Sequence, residues 1–434
     1  MKDLSDITAC VVDHGIYFGV AERLARDLKR VLYNIPNAEA FETFAQGSRG
    51  AGDHKVELCE DFWRIKNETD VFVFPDVGDR AYSGLQLELE SQGFAVWGSR
   101  EACDLERRRG SWIDACEKLG FPMPTTHEIT GVSEAQRFFD EHPGETFFVK
   151  VSRWRGDMET WKACQRYQIR NKLDLLRMRW GPMAEQMTLY IQEVLKTDIE
   201  GGADTYFIGD YPDKIILGYE KKGESYFAVV KDRKDMPPEI WSVSEAMTPM
   251  LRDLGYRNLV STEVRVDDDK SYLLDPCFRT PSPAGEEELE LYKNFSEIVC
   301  AGAEGILVQP DIDEEFCGEA VISYTGDREG WKSIEVPREI KQWVKLYACV
   351  EYDGAYHFSL QQDPDAIGCA VALGHSGQEV IDKLKEIGEM FKEAPVELHI
   401  EPMADLLKEI ESAKEGGIPF SDKALPEPAE VLDG

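Results

Sequence analysis

The order of apolar runs predicts an α/β region followed by α+β regions within one chain. Three observations carry that expectation. Strand-like and helix-like periodicities alternate through the first hundred residues. Four strand-like runs then succeed one another between residues 189 and 230, and residues 262–275 alternate side chains on either side of an acidic turn. Regular alternation of strands and helices implies a parallel sheet covered on both faces. Successive strands joined by short turns imply antiparallel pairing.

Ile7–Val12 is a short apolar run suited to a buried strand, and Gly15 and Gly19 open a helix with Val20, Leu24, Leu28 and Val31 on one face. Val71–Phe74 is a second buried strand, halted by Pro75–Asp76. A helix over about Tyr82–Gln92 stops at Gly93, a C-terminal glycine position, and Phe94–Trp97 is a further strand. Ligands of open α/β sheets sit beyond the carboxyl ends of the strands. That singles out Asp13, His14 and Gly15 after the first strand and Asp76 after the second. A lone histidine such as His14 is more often structural than catalytic.

From Arg100 to Gly120 the pattern is helical, and Phe147–Val151 is a strand carrying Lys150. The stretch 152–180 is rich in Arg and Lys, among them Arg153 and Arg155. It reads either as a local positive wall for an anionic substrate or as a solvated helix face. Leu189–Val194, Thr205–Asp210, Ile215–Tyr219 and Tyr226–Val230 follow as strands. Thr262–Val266 and Ser271–Asp275 form a hairpin about Asp267–Lys270, and a helix then places Leu289, Tyr292, Phe295 and Val299 on one side. Further on, Trp343–Tyr352 and Ala355–Leu360 pair about Asp353–Gly354. Gly368–Leu373 is a strand, Ser376 with Glu379 is a capping box, and a last helix carries Leu406, Leu407 and Ile410. The expected divisions are 1–100, 101–310 and 311–418, with a Pro- and Glu-rich tail, 419–434, expected to be mobile.

Composition bounds the function. Lys plus Arg number 49 against 83 Asp plus Glu, a net charge of −34. Such a field repels phosphodiester backbones and anionic lipid, so bulk nucleic-acid or membrane binding is not expected. Ten cysteines occur without a Cys-x-x-Cys pair, the usage of reduced thiols in a cytoplasmic protein. No signal-peptide pattern opens the sequence, and no apolar run approaches the ~18 residues of a transmembrane helix.

Several nucleotide and nucleophile motifs fail. Gly218 to Ser225 comes nearest to a phosphate-binding loop but lacks the lysine after its second glycine. No G-x-G-x-x-G occurs, and Ser376 stands at the wrong spacing for a nucleophile elbow. The hairpin is more informative. Glu263 and Asp275, one carboxylate on each strand with Arg279 beyond, suit a Mg²⁺ ion carrying nucleotide phosphates, because that ion prefers hard oxygen ligands. A solvent-facing acidic hairpin is the bland alternative.

Trp97–Gly98–Ser99, Leu105 to Arg109, Gly120–Phe121–Pro122, Val149–Lys150, Ile191 to Val194 and Asp275 to Arg279 occur in that order. In this succession the chain resembles the ATP-grasp superfamily, and within it phosphoribosylamine–glycine ligases (GAR synthetases). The resemblance implies an ATP-grasp fold with a Rossmann-like pre-ATP-grasp domain at 1–100. It implies an ATP-grasp domain at 101–310 whose lid spans about 121–194, and a small C-terminal α/β domain at 311–418. It implies ATP and Mg²⁺ as cofactors. It assigns Arg109, Lys150, Glu193, Val194 and Asp204 to ATP, Glu263 and Asp275 to the metal, and Arg279 and Lys222 (or Lys221) to catalysis. The implied reaction is ATP-dependent carboxylate–amine ligation through an acyl phosphate, releasing ADP and phosphate, with a small-molecule carboxylate and amine as partners. A nucleotide-binding pseudoenzyme or scaffold, and a carboxylase or phosphoryl transferase on the same fold, stay open, as does homo-oligomerisation.

The sequence departs from the family in places. Asp275 is one methylene shorter than the usual Glu, and Cys277 replaces an asparagine with a soft sulfur. The loops for phosphoribosylamine are missing, which argues against a role in purine synthesis.

Overall fold

The computed structural model describes residues 2–13, 15–35, 56–59, 61–78, 80–152, 160–196, 200–221, 224–267, 270–347, 349–352, 354–360 and 366–418. His14, Arg153, Arg155, Lys222 and the tail 419–434 lie outside them. The chain forms two compact units. One comprises Met1–Cys103, Ile199–Glu263 and Cys277–Gly434; the other comprises Asp104–Asp198 and Val264–Pro276.

The first unit begins with a parallel sheet of five strands: β1 (Thr8–Val12), β2 (Arg30–Asn34), β3 (Val56–Leu58), β4 (Val71–Val73) and β5 (Ala95–Trp97), in spatial order β3-β2-β1-β4-β5. Every residue of β1 and β4 is buried, as expected of strands covered on both faces. The helix after β1 is shorter than its periodicity predicts. It spans Phe18–Leu24, and Val31 belongs to β2, where it pairs with Ala9. An i, i+4, i+8 apolar pattern that runs into a buried strand looks like a longer helix, because all these positions face the same core. The helix Arg80–Ser91 ends as expected, with Gly93 at a φ of +87°.

The second unit holds an antiparallel sheet of β6 (Thr126–Thr130), β7 (Phe147–Val151), β8 (Thr160–Ala163) and β9 (Thr188–Glu193), ordered β6-β9-β7-β8. The helix Arg109–Leu119 precedes it and stops at Gly120, whose φ of +74° is the left-handed C-terminal cap. Helices Val132–Glu141 and Arg166–Trp180 pack on the sheet through Val132, Ala135, Phe139, Ile169, Leu173 and Leu176. The basic stretch therefore folds largely as that second helix, with its arginines outward and Arg166 and Arg177 paired to Asp140 and Asp174.

The chain then returns to the first unit through β10 (Glu200–Ile208), β11 (Lys214–Lys221) and β12 (Ser225–Asp232), which pair antiparallel in succession. β13 (Arg257–Asp267) lies on the β10 edge and forms a hairpin with β14 (Lys270–Cys277). β15 (Phe316–Tyr324) adds to β12. A small sheet contains β16 (Trp331–Ile334). Trp343–Tyr352 is not one strand: β17 (Val344–Leu346) joins the large sheet, and β18 (Cys349–Tyr352) pairs with β19 (Ala355–Ser359) in the small one. β20 (Ala366–Gly374) lies between β15 and β17, and β21 (Val396–Leu398) pairs with β15. The helix Gly377–Met390 is capped by Ser376, whose hydroxyl accepts the N–H of Glu379.

The helix expected to carry Leu289 through Val299 is two helices, Gly285–Leu291 and Phe295–Ala303. The break has a hydrogen-bonding cause. Lys293 donates its N–H to the Asp311 carbonyl, and the Asn294 side chain bonds Gln309 and Asp311. That loop supplies the partners a continuous helix would have supplied internally. Among the described residues no helix is long and apolar enough to cross a membrane.

Candidate functional site

In the second unit, three residues far apart in the sequence meet. Lys150 is the fourth residue of β7 and pairs with Thr160 of β8 and Tyr190 of β9, which fixes its backbone from both sides. Arg109 opens the helix Arg109–Leu119, and its N–H is held by the Ser152 carbonyl at 3.2 Å. Asp275 comes from β14. Its Oδ1 accepts from Arg109 Nη1 at 2.6 Å and its Oδ2 from Lys150 Nζ at 2.8 Å. Arg109 also donates Nη2 to Thr160 Oγ1 at 2.9 Å, while its buried Nε finds no hydrogen-bond partner among the described residues. Burial would raise the Asp275 carboxyl, but the charges of Lys150 and Arg109 outweigh it and hold the group down at about 2. The cluster is thus two cations sharing one carboxylate, itself 40% exposed. Gly110 allows Tyr190 to approach, since a Cβ there would stand 2.6 Å from its hydroxyl.

The strand end expected to hold a nucleotide base is present in the same unit. Gln192 is buried and donates to Thr126 Oγ1 at 3.0 Å. Glu193 is exposed, its Oε1 accepting the Thr125 N–H at 3.0 Å. Val194 follows the end of β9.

In the first unit, Asp13 is fully buried at the end of β1. Its Oδ2 accepts the N–H groups of Gly15 at 3.1 Å and Tyr17 at 2.7 Å and the Tyr33 hydroxyl at 2.6 Å. It therefore organises the turn after β1, where Gly15 adopts a φ of +92°. Asp76 is likewise buried and accepts the Val77 N–H at 2.8 Å. Arg279 reaches the first of these turns, donating Nη1 to the Tyr17 hydroxyl at 2.6 Å and to the Thr280 carbonyl at 2.9 Å. Thr280 donates its N–H to the Pro75 carbonyl at 2.8 Å. Two strand-end loops of the parallel sheet and Arg279 are thereby tied together. Asn258 anchors the same segment. It accepts from Trp97 Nε1 at 2.8 Å and donates to Ser99 Oγ at 2.9 Å, and Ser99 in turn donates to the Phe278 carbonyl.

Asp204 is enclosed in β10, 2% exposed, accepting from the Tyr226 hydroxyl at 2.5 Å. Burial pushes its carboxyl up to about 6, against the opposing hydrogen bonds of Ser261 and Tyr226. A carboxylate so enclosed ties β10 to β12 through Tyr226 and does not face solvent. Of the expected metal pair, Glu263 belongs to the first unit and Asp275 to the second. Cys277 lies with its Sγ 3.7 Å from the Arg279 carbonyl.

Tyr17, Thr160 and Asn258 were not singled out from the sequence. Nor was a group of buried glutamates, Glu286, Glu287, Glu288 and Glu319. In the run Gly285 to Leu291 only the apolar periodicity was informative, and consecutive acids ordinarily mark a solvated face.

No family model matches the sequence, and no curated protein does. Solved structures match it in shape. Phosphoribosylamine–glycine ligase from Thermotoga maritima superposes with a TM-score of 0.64 at 14% identity, covering 90% of this chain and 97% of the other. L-amino acid ligase from Bacillus licheniformis gives 0.55 at 14%, covering 91% and 98%. The biotin carboxylase domain of Hydrogenobacter thermophilus 2-oxoglutarate carboxylase, solved with MgADP, gives 0.59 at 10%, covering 96% of each chain. The chain has the ATP-grasp fold. At these identities the likeness establishes architecture, and chemistry must be argued from the residues.

Proposed function

We propose that the protein is an ATP-dependent carboxylate–amine ligase whose second unit holds the nucleotide. The observation that carries this reading is the convergence of Arg109 and Lys150 on Asp275. Two cations fixed on rigid elements and only partly balanced by one part-exposed carboxylate leave a net positive charge in the resting state. Phosphate oxygens are equivalent partners for both cations. When a triphosphate arrives, Lys150 and Arg109 exchange Asp275 for phosphate, and Arg109 Nε has a donor to spare. The exchange leaves Asp275 with unpaired oxygens, hard donors of the type Mg²⁺ takes. Asp275 would hold a Mg²⁺ ion there, which would supply neutralisation of the charge that develops on the phosphates. Glu193 and Val194 would hold the base at the end of β9.

In the first unit, Arg279 is the cation proposed for the carboxylate substrate. Asp13 holds the Gly15–Tyr17 turn, and Tyr17 and Thr280 hold the Arg279 guanidinium. Fixed there, Arg279 can neutralise a substrate carboxylate and the acyl phosphate formed from it. Phosphorylation matters because a carboxylate has no leaving group, and phosphate then departs as an amine attacks. Positioning and preorganised charge supply such catalysis. The divisions at 1–100, 101–310 and 311–418, with a lid at about 121–194, belong to the same reading.

The test is ADP release by the full chain with MgATP and pooled carboxylates and amines, each pool omitted in turn. Release that needs both pools supports ligation. Release with bicarbonate and no amine would instead favour a carboxylase, and no nucleotide binding at saturating Mg²⁺ would overturn the reading.

A further inference from the structure

The core of the first unit contains a second carboxylate group that ligation does not use. Glu286 and Glu287 come from the helix Gly285–Leu291, and Glu319 comes from β15. One oxygen of each lies within 4.8 Å of an oxygen of the other two. Consecutive acids on one helix mean little by themselves. The independent observation is Glu319, which arrives from a different element, is 2% exposed, and has an Oε2 with no hydrogen-bond partner among the described residues. The helix residues present the same half-satisfied state. Glu286 Oε1 accepts from Ser282 Oγ at 2.9 Å and Glu287 Oε2 from the Ala284 N–H at 3.1 Å, while Glu286 Oε2 and Glu287 Oε1 accept nothing.

Buried carboxylate oxygens without donors are costly, and more so beside like charges. We propose that Glu286, Glu287 and Glu319 form an internal site for a hard divalent cation, separate from the nucleotide. Three oxygens that lie within 4.8 Å of one another fall inside the span of ligands about one hard divalent cation, whose trans ligands stand about 4.8 Å apart for calcium. The donors are all hard oxygens, the set that excludes soft metals. Three carboxylates and one such ion leave a single negative charge, a far smaller burden than three. The site ties the helix Gly285–Leu291 to β15, so its occupancy couples to stability.

The experiment is Mn²⁺ uptake by nucleotide-free full-length protein, read as loss of the free-ion EPR signal at pH 8. The wild type is expected to take up one tightly held ion. Glu319→Gln and the double change Glu287→Gln, Glu319→Gln are expected to weaken that uptake by about tenfold or more, since affinity follows ligand charge count. Both variants keep the side-chain shape and remove repulsion, so folding is retained, and circular dichroism checks it. Asp275→Asn, in the other unit, is expected to keep the tight ion. Uptake that is weak, multiple and equal in wild type and glutamine variants would be surface binding to an acidic protein and would overturn the proposal. So would loss of the tight ion in Asp275→Asn, or no uptake at all.

Discussion

Carboxylates of the two units are driven in opposite directions by their neighbours. Asp275 has Lys150 and Arg109 against its two oxygens and is held down at about 2. Glu287 is enclosed, with Glu286 and Asp204 as like charges, and is pushed up to about 8 despite a hydrogen bond from Glu319. Glu290 shows that partners decide this more than location. It lies three residues along the same helix, yet Lys345 and Arg26 outweigh its burial and bring it down to about 2. Burial makes a charge expensive, and the neighbours decide whether the group keeps it.

The largest effect is expected at the paired carboxylate of the second unit. Lys150→Ala should lower ADP release by about 10²–10³-fold, the scale of losing one preorganised charge contact, measured as kcat in the pool assay. Retained activity would dissociate the Lys150–Asp275 pair from catalysis. Next comes the cation-bound glutamate of the first unit. Glu290→Gln leaves Lys345 buried without its counter-charge and should cost about 3 kcal/mol or more, read from denaturant midpoints.

Glu287→Gln should do the reverse. The Glu287 carboxyl is raised from its ordinary 4.5 to about 8, so the folded state holds a proton that the unfolded state releases. Its contribution to stability is therefore full below pH 4.5, falls as pH rises, and levels off above about 8. In metal-free buffer the variant should gain over the wild type progressively from pH 5 to 8, by about 2 °C or more in Tm at the upper end. A gain independent of pH would place the effect in packing. For Asp275 the sign is opposite: its ordinary 3.8 is lowered, so its contribution is present above pH 3.8 and lost as pH falls through about 2. The stability difference between wild type and Asp275→Asn should shrink over that acid limb, seen in melting curves. Gly110→Ala gives the smallest effect. The added methyl meets only the far end of Tyr190, and a loss of activity under about tenfold is expected from a shift of the adjoining Arg109.

Local patterns were legible in the sequence, and long-range pairings were not. β1, β4, β5 and the β13–β14 hairpin follow from apolar runs and alternation at 7–12, 71–74, 94–97 and 262–275. β2 was concealed because Val31 continued a helical spacing, and its partner Ala9 lies in another strand. The break before Phe295 was concealed because Asp311, which supplies the competing carbonyl, follows much later. Arg109, Lys150, Asp275 and Arg279 could be nominated one by one through the family resemblance. That Asp275 rests on Arg109 and Lys150 could not, since 166 and 125 residues separate them. The glutamate cluster was hidden for a different reason: acids in series signal solvent unless tertiary structure encloses them.

Calorimetric titration of ADP into wild type and Asp275→Asn, with chelator and then with Mg²⁺, tests most directly whether Asp275 holds Arg109 and Lys150 in reserve for phosphate. The account predicts that the variant binds metal-free ADP more tightly than wild type, because its cations are released, yet gains nothing from Mg²⁺. Equal affinity in chelator and an undiminished Mg²⁺ enhancement in the variant would contradict it.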